Sequence, residues 1–278
     1  MSLVSSDIDF EVSNPNEYQS VRNIRERKNR LTQDNLILAS NFNLIKDTRK
    51  SAFDNDFSIF RLKLELAGNL LNATSELIGF DKNDNGELEI NNVAFSQYAK
   101  SEIDYIKLWN IGRSNVIALR TFVGIAIPIG NSSTIPFSKS FFAGGSNDNR
   151  AWTAYNLGPG RSDNNNEFNE ANLKLAFSLE HRYKLFGKLN GAFFVDAGNI
   201  WNVLDDVEDP KAIFNSFESL NDIAIGSGIG LRYDFDFFIL RFDTGFKTYN
   251  PTYQKNQRWF KDLNFSSAVY NIGINYPF

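Results

Sequence analysis

The chain has 278 residues, of which 42% are hydrophobic and 22% charged, with a formal net charge of −4. This acidic balance argues against a nucleic-acid-binding surface, which needs clustered Lys and Arg to replace the counterions of phosphates. Because the sequence has no cysteine, disulfides, zinc-thiolate sites and thiol catalysis are excluded. No apolar run approaches the roughly 18 residues of a membrane-spanning helix, so a helical membrane protein is excluded as well.

The first residues, Met1-Ser2-Leu3, do not form the basic and apolar regions of a secretory signal peptide. A protein of the bacterial outer membrane, which the strand pattern below predicts, needs such a peptide for export. We therefore expect the chain to be the C-terminal part of a longer, exported protein.

Apolar residues alternate with polar ones along ten segments, and this period of two predicts β-strands. Several segments exceed the usual soluble strand of about 5 to 6 residues and match the roughly 9 to 11 residues of a tilted strand that crosses a bilayer. We therefore predict about ten strands and almost no helix. The segments are residues 8–13, 36–47, 57–67, 93–109, 115–128, 170–184, 188–200, 222–234, 237–247 and 264–277.

The predicted connections alternate between short turns and long loops. The short ones are residues 110–114, 185–187 and 235–236, with an intermediate one at 48–56, and the long ones are 14–35, 68–92, 129–169, 201–221 and 248–263. Outer-membrane barrels have short turns on the periplasmic side and long loops outside. A soluble β-sandwich, the alternative fold, also has alternating strands but does not require this loop pattern.

Charged residues share one face of the predicted strands. Between residues 60 and 67 the even-numbered positions are apolar, while Arg61, Lys63 and Glu65 lie on the other face. A shift of one residue would place the cations in lipid, at a cost of about 2–4 kcal/mol each near the midplane. The same division recurs at residues 172–182 and 238–247. We therefore predict an all-β fold, an antiparallel transmembrane β-barrel in the bacterial outer membrane.

The end of the chain alternates in the same way. Its predicted lipid face consists of Ala268, Tyr270, Ile272, Ile274, Tyr276 and Phe278. The other face carries small or polar residues. We interpret Tyr270, Ile274, Tyr276 and Phe278 as a C-terminal strand signal.

The longest loop contains the segment FFAGGSNDNRAWTAYNLGPG, residues 141–160. Its glycines allow tight turns and close backbone approach, and Arg150 places a five-donor cation near the aromatic Trp152. Loops longer than about 15 residues in a compact fold are usually functional or disordered. This segment is therefore a candidate functional site.

The segment and two further features resemble the BamA/TamA family of outer-membrane-protein assembly factors, in the bacterial surface antigen superfamily. The further features are the pattern F-x-D-x-G-N at residues 194–199 and the C-terminal aromatic residue. Ala151 stands where glycine is usual, which is similar to the R-A-W form of TamA-like proteins of Bacteroidetes. The loop signature consists of Gly144, Gly145, Asn147, Arg150, Ala151 and Trp152, followed by Gly158 and Gly160.

The resemblance implies a sixteen-stranded barrel preceded by periplasmic POTRA domains. On that basis residues 1–278 would be the C-terminal part of the barrel, with its last ten strands and without POTRA domains. It also implies that the loop folds into the barrel, where its arginine meets acidic groups. Glu180 and Asp196 face the lumen in the predicted register, so we predict a lock between them and Arg150. The alternative is an exposed Arg150 with two unrelated luminal carboxylates.

The resemblance implies that the protein folds and inserts other β-barrel proteins into the outer membrane. Its partners would be unfolded outer-membrane proteins, the lipid bilayer and periplasmic accessory proteins. A two-partner secretion pore and a passive structural barrel are the alternatives.

We expect no enzyme activity and no cofactor, since no catalytic constellation is visible. Residues 81–92 resemble half of an EF-hand, but Asn92 replaces the acidic last ligand, which favours a polar loop without metal.

Overall fold

Twelve β-strands form in the part of the chain that the computed structural model describes, residues 32, 34–51, 54–162, 169–205, 207 and 209–278. Residues Asp34–Phe278 make one compact unit. The strands are β1 (Ala39–Asp47), β2 (Ser58–Ala67), β3 (Asp81–Lys82), β4 (Leu88–Ile90), β5 (Val93–Ala94), β6 (Tyr98–Gly112), β7 (Asn115–Pro128), β8 (Leu173–Phe186), β9 (Leu189–Trp201), β10 (Ala224–Asp234), β11 (Ile239–Tyr249) and β12 (Val269–Ile274).

Nine of these strands form one antiparallel sheet in the order β1-β2-β6-β7-β8-β9-β10-β11-β12. They correspond to nine of the ten predicted segments, while the segment at residues 8–13 lies outside the described residues. The predicted count of about ten is wrong, because β3, β4 and β5 form a second, small sheet. β3 and β4 lie in the connection predicted as loop, and β5 occupies the start of the predicted segment 93–109. Among the described residues no ladder joins β1 to β12, so barrel closure is not observed in this part of the chain.

The connections of the main sheet alternate in length as predicted. The short turns are residues 113–114, 187–188 and 235–238. The long connections are residues 68–97, 129–172, 202–223 and 250–268. Because successive strands are antiparallel neighbours, the long connections lie at one end of the sheet and the short turns at the other. The side chains at the long-loop end are therefore separated from the turns by the full strand length.

The first long connection contains α1 (Asn69–Ile78), followed by the small sheet. The prediction that helix is almost absent missed this element.

Residues 81–92 fold as a hairpin in which Asn83 Oδ1 accepts hydrogen bonds from the backbone N–H groups of Asn85 and Glu87. Among the described helices, none is both long enough and apolar enough to cross a membrane.

The main sheet carries exposed apolar residues on one face and buried polar residues on the other. Leu64 and Leu66 in β2 are exposed, while Glu65 between them is only 3% exposed. In β9, Val195 is exposed and the adjacent Asp196 is buried. The faces follow the predicted register, with apolar side chains outside and charged side chains inside, as a lipid exterior requires. We call these the outer and the inner face.

The last residues of the chain depart from the predicted strand. β12 ends at Ile274, and Asn275 adopts a left-handed conformation with φ of 65°. Tyr276 then lies under the guanidinium of Arg182, 3.9 Å from the ring centroid. The prediction that Tyr276 and Phe278 continue the outer face is therefore wrong, because the turn at Asn275 directs them across the inner face. Phe278 packs against the inner-face cluster of Ile59, Ile106, Leu108 and Ala118.

Candidate functional site

The connection between β7 and β8 packs against the inner face, and we call its residues 129–162 the inserted loop. Its apolar side chains join residues of β6 and β9 in the largest buried cluster of the described chain. Loop residues therefore form part of the protein core, and the loop is not a free external segment. The cluster includes Tyr98, Ile135, Phe141, Ala143, Trp152, Leu157 and Ile200.

Two glycines shape the tip of the inserted loop. Gly144 and Gly145 have φ of 89° and 103°, a region that other residues seldom adopt. The N–H of Gly145 donates to the carbonyl of Trp152 at 2.8 Å, and the N–H of Gly144 donates to Asp148 Oδ2 at 2.8 Å. A Cβ atom on Gly144 would lie 2.3 Å from the carbonyl oxygen of Thr153. The glycines therefore close the turn that presents Arg150.

Arg150 lies between two carboxylates on the inner face. Its Nε and Nη2 donate to the two oxygens of Asp196 at 2.8 and 2.9 Å, and its backbone N–H donates to Asp196 Oδ2 at 3.1 Å. Nη1 donates to Glu180 Oε2. The guanidinium also covers the ring of Phe194, 3.5 Å from its centroid. The structure thus brings together the three residues of the predicted lock.

The lock is removed from solvent. Arg150, Glu180 and Asp196 are each at most 1% exposed. Burial by itself would lower the pKa of Arg150, but the charges of Asp196 and Glu180 and the hydrogen bonds raise it above its ordinary value. The guanidinium therefore stays charged, and its loss would remove the cation that bridges Asp196 and Glu180 and leave both carboxylates buried.

Further charged residues surround the lock. The predicted register placed Arg182, Arg241 and Asp243 on the charged face, but the sequence did not predict their contacts around the lock. Arg182 Nε donates to Glu180 Oε1 at 2.9 Å, and Arg232 Nη2 lies 3.2 Å from the same oxygen. Arg232 also donates to Asp243 Oδ1, while Arg241 Nη1 lies 3.4 Å from Asp243 Oδ2. All four side chains are buried. A signal was present in the sequence, because alternate positions of β8, β10 and β11 carry charges on the same face.

Beside the lock, the inner face of β10 and β11 carries the glycines Gly226 and Gly245. A Cβ atom on Gly245 would lie 2.4 Å from the carbonyl oxygen of Arg150. A Cβ atom on Gly226 would lie 2.6 Å from Cβ of Ala151. The loop backbone can therefore approach β10 and β11 closely, and Gly226 leaves room for the methyl group of Ala151. From β12, Asn271 Nδ2 donates to the carbonyl oxygen of Arg150 at 2.9 Å.

The other residues of the loop signature also contact the sheet. Asn147 Oδ1 accepts a hydrogen bond from Arg241 Nη2 at 2.8 Å, and Trp152 is 1% exposed within the core cluster. The N–H of Gly160 donates to the carbonyl of Ile200 at 2.7 Å. A Cβ atom on Gly158 would lie 2.3 Å from Asn199 Oδ1. Apart from Gly144 and Gly145, which bond within the loop, the predicted loop residues thus contact β8 to β11.

A second contact joins the loop to the opposite part of the sheet. Glu65 of β2 is buried and accepts a hydrogen bond from the hydroxyl of Tyr98 at 2.5 Å. Lys139 Nζ, from the short 3-10 helix Phe137–Lys139 of the loop, lies 2.8 Å from the same carboxylate. Lys100 Nζ donates to the Lys139 carbonyl at 2.8 Å. The loop is therefore tied both to β2 and β6 and to β8 and β9.

The remaining predicted site residues lie at the sheet edge. Tyr270 and Ile274 point outward from β12 and are exposed, as the sequence predicted.

A cavity of about 330 Å³ separates the loop from β7 and β8, and Arg120, Phe122 and Lys174 are among its lining residues. Among the described residues, no group of His, Cys, Asp and Glu is placed to hold a metal ion.

A sheet with an apolar outer face, a charged inner face and a loop anchored inside by buried ion pairs is typical of an outer-membrane β-barrel protein. Residues 3–261 match the Omp85 superfamily domain. The chain therefore belongs to the Omp85 superfamily.

The fold is similar to that of BamA from Haemophilus ducreyi lacking POTRA domains 1–3, with a TM-score of 0.53 and 13% sequence identity. The match covers 91% of this chain and 46% of the BamA chain, so this chain spans about half the length of that structure. At such an identity the likeness concerns the fold alone. The search of curated proteins found no match.

Proposed function

We propose that the protein folds and inserts other β-barrel proteins into the outer membrane, as the C-terminal barrel portion of a TamA-like member of its superfamily. Superfamily membership and the BamA-like fold support this proposal. Its substrates would be unfolded outer-membrane proteins, delivered with the help of periplasmic accessory proteins. The observation that carries the proposal is the hydrogen bond from Asn271 of β12 to the backbone of Arg150.

That hydrogen bond connects the edge of the sheet to the loop lock. β12 has six residues and pairs with β11, and among the described residues its other side has no strand partner. Backbone groups left unpaired in lipid cost several kcal/mol each, so a free edge at membrane depth favours the addition of a strand. The lock would hold the edge in position while a substrate strand pairs with it.

The outer face of β12 matches such a role. Tyr270, Ile272 and Ile274 are exposed on one side, and Val269, Asn271 and Gly273 alternate with them. A substrate strand with the same alternation would continue the apolar surface toward lipid and the polar surface toward the interior. Pairing would therefore satisfy backbone and side-chain requirements together.

Crosslinking tests strand addition directly, and residues 1–278 contain no native cysteine that would compete for the probe. A photoreactive probe on Ile272→Cys should crosslink to a barrel precursor during its insertion into liposomes that contain the complete protein. Ile229→Cys is the matched control, since Ile229 is equally outward-facing but lies in β10 between two paired strands. Equal crosslinking at both positions, or none at position 272, would contradict the proposal.

Insertion itself is measured with a radiolabelled barrel precursor and liposomes with and without the complete protein. Faster acquisition of a protease-resistant, folded form in the presence of the protein is the expected result. A polypeptide that instead crosses the liposome wall and becomes accessible inside would favour the two-partner secretion pore. No effect on the precursor would favour a passive barrel.

A further inference from the structure

Helix α1 exposes most of its apolar residues, and its only buried residue is the polar Ser75. Leu70 and Leu77 are 67% and 87% exposed, whereas Ser75 is only 9% exposed. A helix on a water-soluble surface has the opposite pattern, with its apolar stripe toward the protein. The exposed side of α1 is therefore unsuited to water.

Five of the six exposed residues of α1 form two separate stripes, and the sixth, Ile78, is the last residue of the helix and lies in neither. Because each residue of an α-helix turns by about 100°, Leu70, Ala73 and Leu77 share one stripe, and Asn72 and Glu76 share another that lies roughly 110° away. All five are exposed. Ser75 and Leu71 point to a third side, toward the protein. The helix thus has one side for protein, one for water and one for an apolar medium.

The position of α1 identifies that medium. The helix begins two residues after β2 ends, at the long-loop end of the sheet. Leu66, the last outward-facing residue of β2, is exposed and precedes Leu70 by four residues, which span at most roughly 14 Å. The apolar stripe is therefore close to the edge of the apolar outer face.

The start of the helix is fixed to the sheet. Gly68, at its N-terminal boundary, has φ of 72°, and a Cβ atom there would lie 2.5 Å from the carbonyl oxygen of Ser96. The N–H of Gly68 donates to the carbonyl of Leu38, and Gln97 Nε2 donates to Asn69 Oδ1. These contacts hold the first turn against the strand ends and limit the directions that α1 can take.

We propose that α1 lies in the outer leaflet of the membrane at the boundary of headgroups and acyl chains, with Leu70, Ala73 and Leu77 inserted into lipid and Asn72 and Glu76 in water. The proposal rests on the outer-membrane placement of the sheet and goes beyond the proposed insertion activity. A helix with such faces binds at that boundary, buried by about 5–10 Å. In this position α1 extends the apolar outer face of the sheet at the long-loop end of β2.

The test uses single cysteines in the complete protein, labelled with an environment-sensitive fluorophore and reconstituted into vesicles. The label at Leu77→Cys should show blue-shifted emission and lose roughly half its intensity with lipids that carry a quencher near the headgroup, as shallow burial predicts. The matched control is Glu76→Cys, whose neighbouring label should keep water-like emission and respond to aqueous iodide. Equal, water-like behaviour of the two labels would overturn the proposal.

A label at Leu64→Cys separates this proposal from the membrane placement itself. Leu64 lies on the outer face of β2, so its label should be quenched by lipids that carry the quencher deeper in the acyl chains. If it is not quenched, the placement of the sheet fails. If it is quenched while the label at position 77 is protected from both iodide and quencher lipids, a protein partner covers α1, and the lipid proposal is overturned.

Discussion

Arg150 and Asp196 are joined by three hydrogen bonds, two from the guanidinium and one from the backbone N–H of Arg150. The same guanidinium donates to Glu180 on the adjacent strand β8. Because the backbone takes part, the contact determines the path of the loop as well as the direction of its side chain. The position of the loop inside the sheet therefore depends on this pair.

Removal of the cation should destabilise the protein strongly. Arg150→Ala leaves Glu180 and Asp196 buried with fewer cations, and loss of one partner of a buried ion pair costs about 3–5 kcal/mol. Arg150→Lys should recover only part of this loss, because an ammonium group cannot bridge both carboxylates in the same geometry. Thermal unfolding in detergent, followed by circular dichroism, measures the change.

An exposed ion pair serves as the control for the lock. Lys188 and Asp236 form a contact at the surface, and exposed pairs contribute little to stability. Lys188→Ala should therefore leave the unfolding temperature unchanged. If Arg150→Ala behaves like Lys188→Ala, the three residues do not form a structural lock.

Gly226→Ala should displace the inserted loop. The added methyl group would lie 2.5 Å from Asn149 Oδ1 and 2.6 Å from Cβ of Ala151, which requires the loop to move. The double variant Gly226→Ala with Ala151→Gly removes this contact and should recover part of the lost stability. Protease sensitivity of the loop, compared among the single and double variants, measures the effect. Additive losses in the double variant would show that the two positions are not coupled.

The hydroxyl of Tyr98 should contribute to the second loop contact. Tyr98→Phe removes one of the two partners of buried Glu65 and leaves Lys139 in place, and a hydrogen bond to a charged group contributes about 1.5–3 kcal/mol. Tyr105→Phe is the control on the same strand, since Tyr105 points outward and is exposed. Chemical denaturation of the reconstituted protein gives the difference in unfolding free energy. Equal effects of the two substitutions would exclude a specific role for the contact with Glu65.

The last residues should become accessible when Tyr276 is shortened. Tyr276→Ala removes the aromatic ring from Arg182, a cation–π contact of about 0.5–2 kcal/mol, and loosens the turn after Asn275. Hydrogen exchange of the backbone amides around position 276 should then be faster than in the unaltered protein. Tyr270→Ala, on the outer face of the same segment, should not change the rate. Equal rates for both variants would contradict a retaining role for Tyr276.

The sequence predicted the strands of the main sheet because a lipid exterior imposes strict alternation, and each strand carries that pattern locally. Arg61, Lys63 and Glu65 showed which face of β2 is inner without any knowledge of its neighbours. α1 was missed because only a period of two was followed, whereas its apolar residues Leu70, Leu71, Leu77 and Ile78 recur at a helical spacing of seven. Phe278 was misplaced because the single left-handed residue Asn275 interrupts an otherwise regular pattern.

By itself the sequence determined the inner and outer faces of the strands and placed Glu180 and Asp196 on the inner face, since these depend on a period of two along each strand. Arg150 lies in a loop and became their predicted partner only through the family resemblance. Only the tertiary structure decided which charges meet. Arg182, Arg232 and Asp243 join the lock because strands that are distant in the chain align side by side, and their mutual distances depend on pairing and on the depth to which the loop enters. Contacts between elements arise from this alignment, so no local pattern could specify them.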